Sequence, residues 1–387
     1  MKKLVLIRGP ILSQSGYGVH VRQVFQWLET VPDVEIVSQI LPWGITPWNV
    51  NSDDENGLIG RILETSKPVT RKPDLSIQIQ LPNEWDNTLA TKNIGITAGV
   101  ETDKCNPDWV NIHCSKMDLV IVPSLFAKTT FLASGKTSTP IEVVPESYFD
   151  ELLVPNTIRL DLESEFNFLI VGSLTGDRPE NDRKNIYYAI KWFCEEFAGN
   201  KDVGLILKIS RGRDTTIDRD ICKKILRQLL AEVRKGEFPK ITLLHGAVDK
   251  NEMAGLYMHP KVKALISATR GEGFGLPLLE AAVTGLPVIA TGWSAHNEFL
   301  GRFSKIQYAL KEIPENRVDN QIFMKGSKWA EVDEASFKHK LRLFLKSSEA
   351  PLEWAKETAS RLKETHSHTS ISNAYDKVIQ KHSMLEF

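Results

Sequence analysis

The chain has 387 residues, 42% of them apolar and 25% charged, with a formal net charge of -1. At about 150 residues per domain this length gives two domains, and the composition excludes disorder and fibrous repeats. The 48 basic and 49 acidic residues give no global attraction to nucleic acid or to an anionic membrane, which leaves only a local patch open, and nucleic acid is not an expected partner.

In chain order, the first apolar stretch, Leu4–Ile7, ends at Arg8, Gly9 and Pro10 and reads as a buried strand, not a signal segment. Ser15, Gly16, Tyr17 and Gly18 read as a loop before a helix over Val19–Leu28. Gly16 and Gly18 invite a dinucleotide fingerprint, which fails because Val21 stands where a third glycine is needed. Strands follow at Val34–Ile40, Leu75–Gln80, Ile94–Gly99, Leu119–Val122 and Ile141–Val144, with surface loops at Asn51–Glu55 and Lys67–Asp74. Glu101, just past a strand, is the best carboxylate candidate of this half, and His113 reads as a packing histidine in a helix over Trp109–Met117. A polar, proline-punctuated stretch between Val144 and Phe166 marks the boundary, placed at 157.

The second half restarts the alternation, with strands at Phe166–Val171, Val203–Ile209, Ile241–Leu244, Ala264–Ser267 and Pro287–Ala290. Strands spaced by helix-length segments imply βαβ units and parallel sheets, an α/β class. Helices are expected at Glu334–Leu345, Pro351–Lys363 and Ser370–His382, the last with one apolar face that must pack on something. His366 and His368 have metal-like spacing but read as exposed residues of a polar linker. No apolar run reaches the roughly 18 residues that span a bilayer. Cys105, Cys114, Cys194 and Cys222 form no CxxC pair, so neither zinc nor disulfides are expected, and a cytoplasmic location is.

The most informative segment runs from Arg270 to Thr291. Glycines at 271, 273 and 275 let the backbone approach a ligand closely, and Pro277 suits the first turn of a helix. Free N–H groups and the helix dipole at that N-terminus favour an anion. Glu272 and Glu280 would repel phosphate, so they should face hydroxyl groups. One ligand, a phosphate flanked by two polyols, answers all of these features: a nucleotide sugar.

Glu272-x7-Glu280, within Glu-Gly-Phe-Gly-Leu-Pro-Leu-Leu-Glu-Ala, resembles the signature of retaining glycosyltransferases of family four, which have the GT-B fold. Asp182-Arg183-Lys184-Asn185 is similar to the Arg-Lys-Asn element of one branch, and Val122-Pro-Ser-Leu-Phe126 to a turn late in the family's first domain. The resemblance implies two Rossmann-like domains facing across a cleft: an acceptor-side domain over 1–157, joined by a final helix within 370–387, and a donor domain over 158–369. It puts Glu272 on the donor sugar, Glu280 on the ribose, and Arg183 or Lys184 on the diphosphate. Backbone groups of Gly273, Phe274, Gly275 and Leu276 join them. Gly16 and Gly18 would face the donor, and Glu101 would line the acceptor side, so the catalytic set is Glu272, Lys184 and Glu101.

Ser173 stands after Gly172 where many members carry an arginine, and Lys208 is the expected replacement. A lysine amid apolar neighbours is costly unless paired, and strand C-terminal ends are where open parallel sheets bind ligands. The turn from His245 to Val248 is expected to meet the base through its backbone. No metal and no cofactor are expected, because no Asp-x-Asp motif is read in the chain to hold a divalent ion and because basic residues and a helix dipole can neutralise the leaving group. The expected reaction is hexosyl transfer from a UDP-, GDP- or ADP-linked sugar to a glycan, lipid or protein hydroxyl. A nucleotide-sugar epimerase and a catalytically silent nucleotide-sugar-binding module remain as alternatives.

Overall fold

The computed structural model describes residues 2–174 and 178–385. Met1, where the N-terminal run begins, and the last two residues of the expected 370–387 segment fall outside them. Two compact units result. Unit 1 comprises the chain up to Ser147, the short segment Asp319–Met324 and everything from Thr365 on; unit 2 comprises Tyr148–Val318 and Lys325–Glu364.

Unit 1 is built from β1 (Lys3–Gly9), α1 (Gly16–Thr30), β2 (Val34–Ile40), α2 (Asp54–Thr65), β3 (Leu75–Ile79), β4 (Lys92–Ile96), β5 (Leu119–Val122), α3 (Leu125–Ser134) and β6 (Ile141–Val143). Its six strands form one sheet in the order β2-β1-β3-β4-β5-β6, every pair parallel. Strands covered on both faces must be apolar throughout, which is why β5 reads Leu-Val-Ile-Val and is buried along its length.

Unit 2 contains β7 (Phe166–Ser173), α4 (Ile186–Glu196), β8 (Val203–Ser210), α5 (Thr216–Val233), β9 (Lys240–His245), α6 (Lys250–Tyr257), β10 (Val262–Ser267), α7 (Leu276–Val283), β11 (Val288–Thr291), α8 (His296–Leu300), β12 (Ser304–Ile306), β13 (Tyr308–Glu312), β14 (Lys328–Val332), α9 (Glu334–Lys346) and α10 (Glu349–Thr365). Its second six-stranded parallel sheet runs β12-β11-β10-β7-β8-β9. The antiparallel pair β13–β14 escapes the sequence pattern because β13 is largely exposed and its three apolar residues, Tyr308–Leu310, give way at once to Lys311 and Glu312.

Several sequence expectations need correcting. Ser15–Gly18 is not a loop: Ser15 caps α1, its hydroxyl accepting from the Gly18 N–H at 3.2 Å. Gly18 is already helical, and a Cβ there would lie 1.9 Å from the Ser13 carbonyl oxygen, so packing alone demands glycine. The expected helix over Trp109–Met117 is two short turns, Trp109–His113 and Cys114–Lys116, the first holding His113 half-buried. The polar linker is nearly all helix, because α10 runs to Thr365 and α11 (His368–Lys381) begins three residues later with Ser367 as its cap.

The units divide after Ser147, where the sequence put the boundary at 157. Phe149 lies under the Lys250 ammonium, 4.5 Å from ring centre to nitrogen, and the turn Asp150–Leu153 packs on α6 and α7, so the whole stretch belongs to unit 2. α11 belongs to unit 1, where Ile371, Tyr375 and Ile379 enter the same apolar core as Val5, Phe25 and Trp27.

Candidate functional site

The glycine-rich segment leaves β10 and turns into α7 as a tight loop. Gly275 has φ +106°, a conformation that side chains rarely adopt, and sets the direction in which Pro277 opens the helix. The loop is clamped from a second strand end: Glu272 N–H donates to the Ser294 hydroxyl at 3.0 Å, and Ala295 N–H to the Glu272 carbonyl at 3.3 Å.

Within this frame the Glu272 carboxylate is 6% exposed and fully engaged. Lys184 donates to its two oxygens at 2.7 and 2.9 Å, Arg183 approaches at 3.1 Å, and Thr269 donates its hydroxyl at 2.8 Å. Burial alone would raise the pKa of this acid. The charges of Lys184 and Arg183, with the hydrogen bonds from Lys184 and Thr269, outweigh that and hold it at about 2. The two cations arrive on the loop before α4, where Asp182 accepts from the N–H groups of Lys184 at 3.1 Å and Ile186 at 2.6 Å. A small cavity beside this cluster is bounded by Val171, Lys184, Ile186, Ser267, Glu272 and Pro277.

Glu280, one turn into α7, accepts from the Tyr257 hydroxyl at 3.1 Å and faces Lys250 at 3.6 Å. Burial, the Glu280 charge and this hydrogen bond push the Tyr257 phenol well above its usual pKa, so it stays a donor. Lys208, 7% exposed in β8, donates to the carbonyl of Gly246. Burial lowers its pKa, against the opposing charges of Asp214, Glu280 and Glu252. Lys208 therefore supports the turn from His245 to Val248, in which Val248 is half-buried just before the Asp249 cap of α6.

Unit 2 thus brings together Arg183, Lys184 and Glu272, with Glu280 on α7, the helix that the Glu272 loop enters, and Lys208 under the turn from His245 to Val248. Gly16, Gly18 and Glu101 belong to unit 1. There the Tyr17 hydroxyl joins the Thr97 hydroxyl at 2.8 Å and accepts from Ala98 N–H at 3.2 Å, and Glu101 lies half-buried beyond β4. Sequence reasoning gave no role to Ser294, Tyr257 or Lys250, whose partners are 22 or more residues away, nor to Thr269, whose partner Glu272 stands only three residues on. The only hint was Asp182, which sits inside the quoted Asp182–Asn185 element.

The metal-free expectation overlooks one Asp-x-Asp spacing, Asp218-Arg219-Asp220, and such pairs can hold a divalent ion on a diphosphate. Here the Asp218 carboxylate is spent on the cap of α5, accepting from Arg213 N–H at 3.1 Å, Thr215 N–H at 3.1 Å and the Thr215 hydroxyl at 2.8 Å. Asp220 is exposed, and residues two apart on a helix do not face each other.

No protein-family model and no curated protein matches the chain. Solved structures do. The Anabaena protein HepE, in complex with UDP and glucose, superposes with a TM-score of 0.61 at 12% identity, covering 98% of this chain and 100% of that one. Sucrose-phosphate synthase from Thermosynechococcus elongatus gives 0.65 at 13% identity, covering 98% and 99%. The lipopolysaccharide outer core galactosyltransferase WaaB gives 0.55 at 14% identity, covering 98% and 99%. The fold is GT-B. In this GT-B chain the two Rossmann-like units are the two six-stranded parallel sheets with their helices. Among the described residues no helix is long and apolar enough to cross a membrane.

If Glu280 holds the ribose, as the resemblance implies, Glu280→Ala weakens nucleoside-diphosphate binding by about 1.5–3 kcal/mol, the range for a hydrogen bond to a charged group, as read by calorimetry. Tyr257→Phe should weaken it less, because the carboxylate remains while one of its anchors is lost. Equal affinity in Glu280→Ala and the parent would remove the carboxylate from the nucleotide site.

Proposed function

We propose that this protein is a retaining glycosyltransferase of family four. It moves a hexosyl unit from a nucleoside-diphosphate sugar to an acceptor hydroxyl without a metal ion. One observation carries the reading: a buried carboxylate, Glu272, held between Lys184 and Arg183 where a glycine loop enters a helix, with Glu280 one turn inside that helix. Three structural neighbours with this fold are a UDP- and glucose-bound protein, a sucrose-phosphate synthase and a galactosyltransferase, which supports a nucleotide-sugar donor.

In this reading Lys184, Arg183 and the N-terminus of α7 neutralise the charge that develops on the departing diphosphate. Glu272 holds sugar hydroxyls, Glu280 holds the ribose, and the diphosphate oxygen accepts the proton that the acceptor hydroxyl loses. Glu101 lies on the acceptor side. Retention of configuration rests on the resemblance of Glu272-x7-Glu280. The proposed location is the cytoplasm, in keeping with four buried cysteines that are all free thiols.

A thermal-shift panel of UDP, GDP, ADP and CDP tests the donor class, since a ligand that binds the folded state raises its stability. Donor turnover is then followed by NMR of the sugar in EDTA, with and without an acceptor mixture. Transfer that persists in chelator is the expected result. Activity lost in EDTA and restored by magnesium or manganese would overturn the metal-free mechanism, and turnover of donor to an isomeric sugar would favour the epimerase.

A further inference from the structure

The loop that presents Arg183 and Lys184 is irregular apart from one turn, Pro179–Asn181, and its own backbone bonds are short-range: Asp182 N–H donates to the Pro179 carbonyl at 3.4 Å and Asn185 N–H to the Asp182 carbonyl at 3.0 Å. Four of its carbonyls close on a single residue. The guanidinium of Arg270 donates through Nη1 to the carbonyls of Pro179 at 3.1 Å, Glu180 at 3.3 Å and Asp182 at 2.7 Å. Its backbone N–H donates to the Arg183 carbonyl at 2.8 Å. The side chain is 2% exposed, sandwiched against the rings of Trp329 at 5.1 Å and Tyr188 at 5.8 Å. Its nearest carboxylate, Glu331, lies 3.5 Å from Nε, and that nitrogen makes no hydrogen bond.

The loose pairing with Glu331 adds little, and the contacts that single out this side chain are its three bonds to loop carbonyls, which no apolar side chain could make. Arg270 stands two residues before Glu272, so the residue that gathers the 179–183 carbonyls is rigidly linked to the carboxylate that meets the two cations.

Resting on the donor reading above, we infer that Arg270 is a positioning residue for diphosphate binding. It fixes the Arg183–Lys184 loop against the Glu272 loop, without touching substrate itself. Without it, Arg183 and Lys184 stay in the chain but lose their aim.

The test compares the parent with Arg270→Met and Arg270→Lys by calorimetry. The probes are the nucleoside diphosphate that shifts melting most among UDP, GDP, ADP and CDP, its parent nucleoside, and inorganic pyrophosphate. Arg270→Met should weaken the nucleoside diphosphate and pyrophosphate by about tenfold or more, with the nucleoside unchanged within about twofold when both are measured well below the variant's lowered melting point. Arg270→Lys, which keeps the charge but reaches fewer carbonyls, should show a smaller loss confined to the same two probes. It carries the test alone if the methionine variant does not fold. Unchanged diphosphate affinity, or a nucleoside loss equal to the diphosphate loss, overturns the inference. A parent that binds none of the four nucleotides overturns the donor reading and this inference with it.

Discussion

Replacing Glu272 by glutamine is expected to tighten the binding of bare nucleoside diphosphate while cutting sugar transfer by about 10- to 100-fold. The two effects have opposite sign because the carboxylate has two sets of partners. Lys184 and Arg183 are paired with it at 2.7 and 3.1 Å, and an incoming diphosphate must compete with the acid for both cations. Glutamine keeps the shape and one acceptor but removes the competing charge. A gain of about threefold to tenfold in affinity is the expected scale for a partly buried charge. The sugar hydroxyls lose a charged acceptor, which lowers transfer. Calorimetry with the bare nucleotide and initial rates with the donor separate the two effects. Weaker nucleotide binding in Glu272→Gln would mean that the carboxylate chiefly holds the cations in place, and the competition would then be wrong.

Sequence reasoning alone predicts unchanged affinity for the bare nucleotide, and the reason is instructive. The glycines, Pro277 and the two acids are local in sequence, so their chemistry can be read from spacing. The pairing of Lys184 with Glu272 spans 88 residues, and no spacing reveals which cation closes on which acid. Arg270 and Lys208 are harder still, because their partners are backbone carbonyls, which exist at every position and leave no mark in the sequence. Lys208 shows the partial case. Its burial in an apolar strand made it conspicuous, but its bond to the Gly246 carbonyl could only be seen in three dimensions. Gly18 misleads for the converse reason: its need for glycine comes from the Ser13 carbonyl and is steric, although the letters suggest a ligand loop. The parallel sheets were legible apart from β12, because strands buried on both faces must be apolar runs and Ser304-Lys305-Ile306 is not one.

Truncation after Thr369 is expected to unfold unit 1. The lost helix contributes Ile371, Tyr375 and Ile379 to the core, at 4%, 2% and 6% exposure. At about 1.5–3 kcal/mol for each fully buried side chain, their loss rivals the 5–15 kcal/mol by which whole domains are stable. Polar partners go with them. The Trp27 indole donates to Asp376 at 2.9 Å, and its ring stacks on Tyr375 with centroids 4.9 Å apart. His20, pushed down to about 4 by burial and therefore neutral at pH 7, shares a hydrogen bond with the Tyr375 hydroxyl at 3.1 Å. Tyr375→Phe isolates that last contact. It leaves a buried imidazole nitrogen without its partner, at a cost of about 1–3 kcal/mol. Chemical denaturation should show Tyr375→Phe unfolding at lower denaturant with an unchanged slope. Limited proteolysis of the truncated chain should cut within residues 2–147 while sparing 148–318. A truncated chain that resists cleavage in both units and keeps the parent's unfolding midpoint would show that α11 only lies on the surface of unit 1.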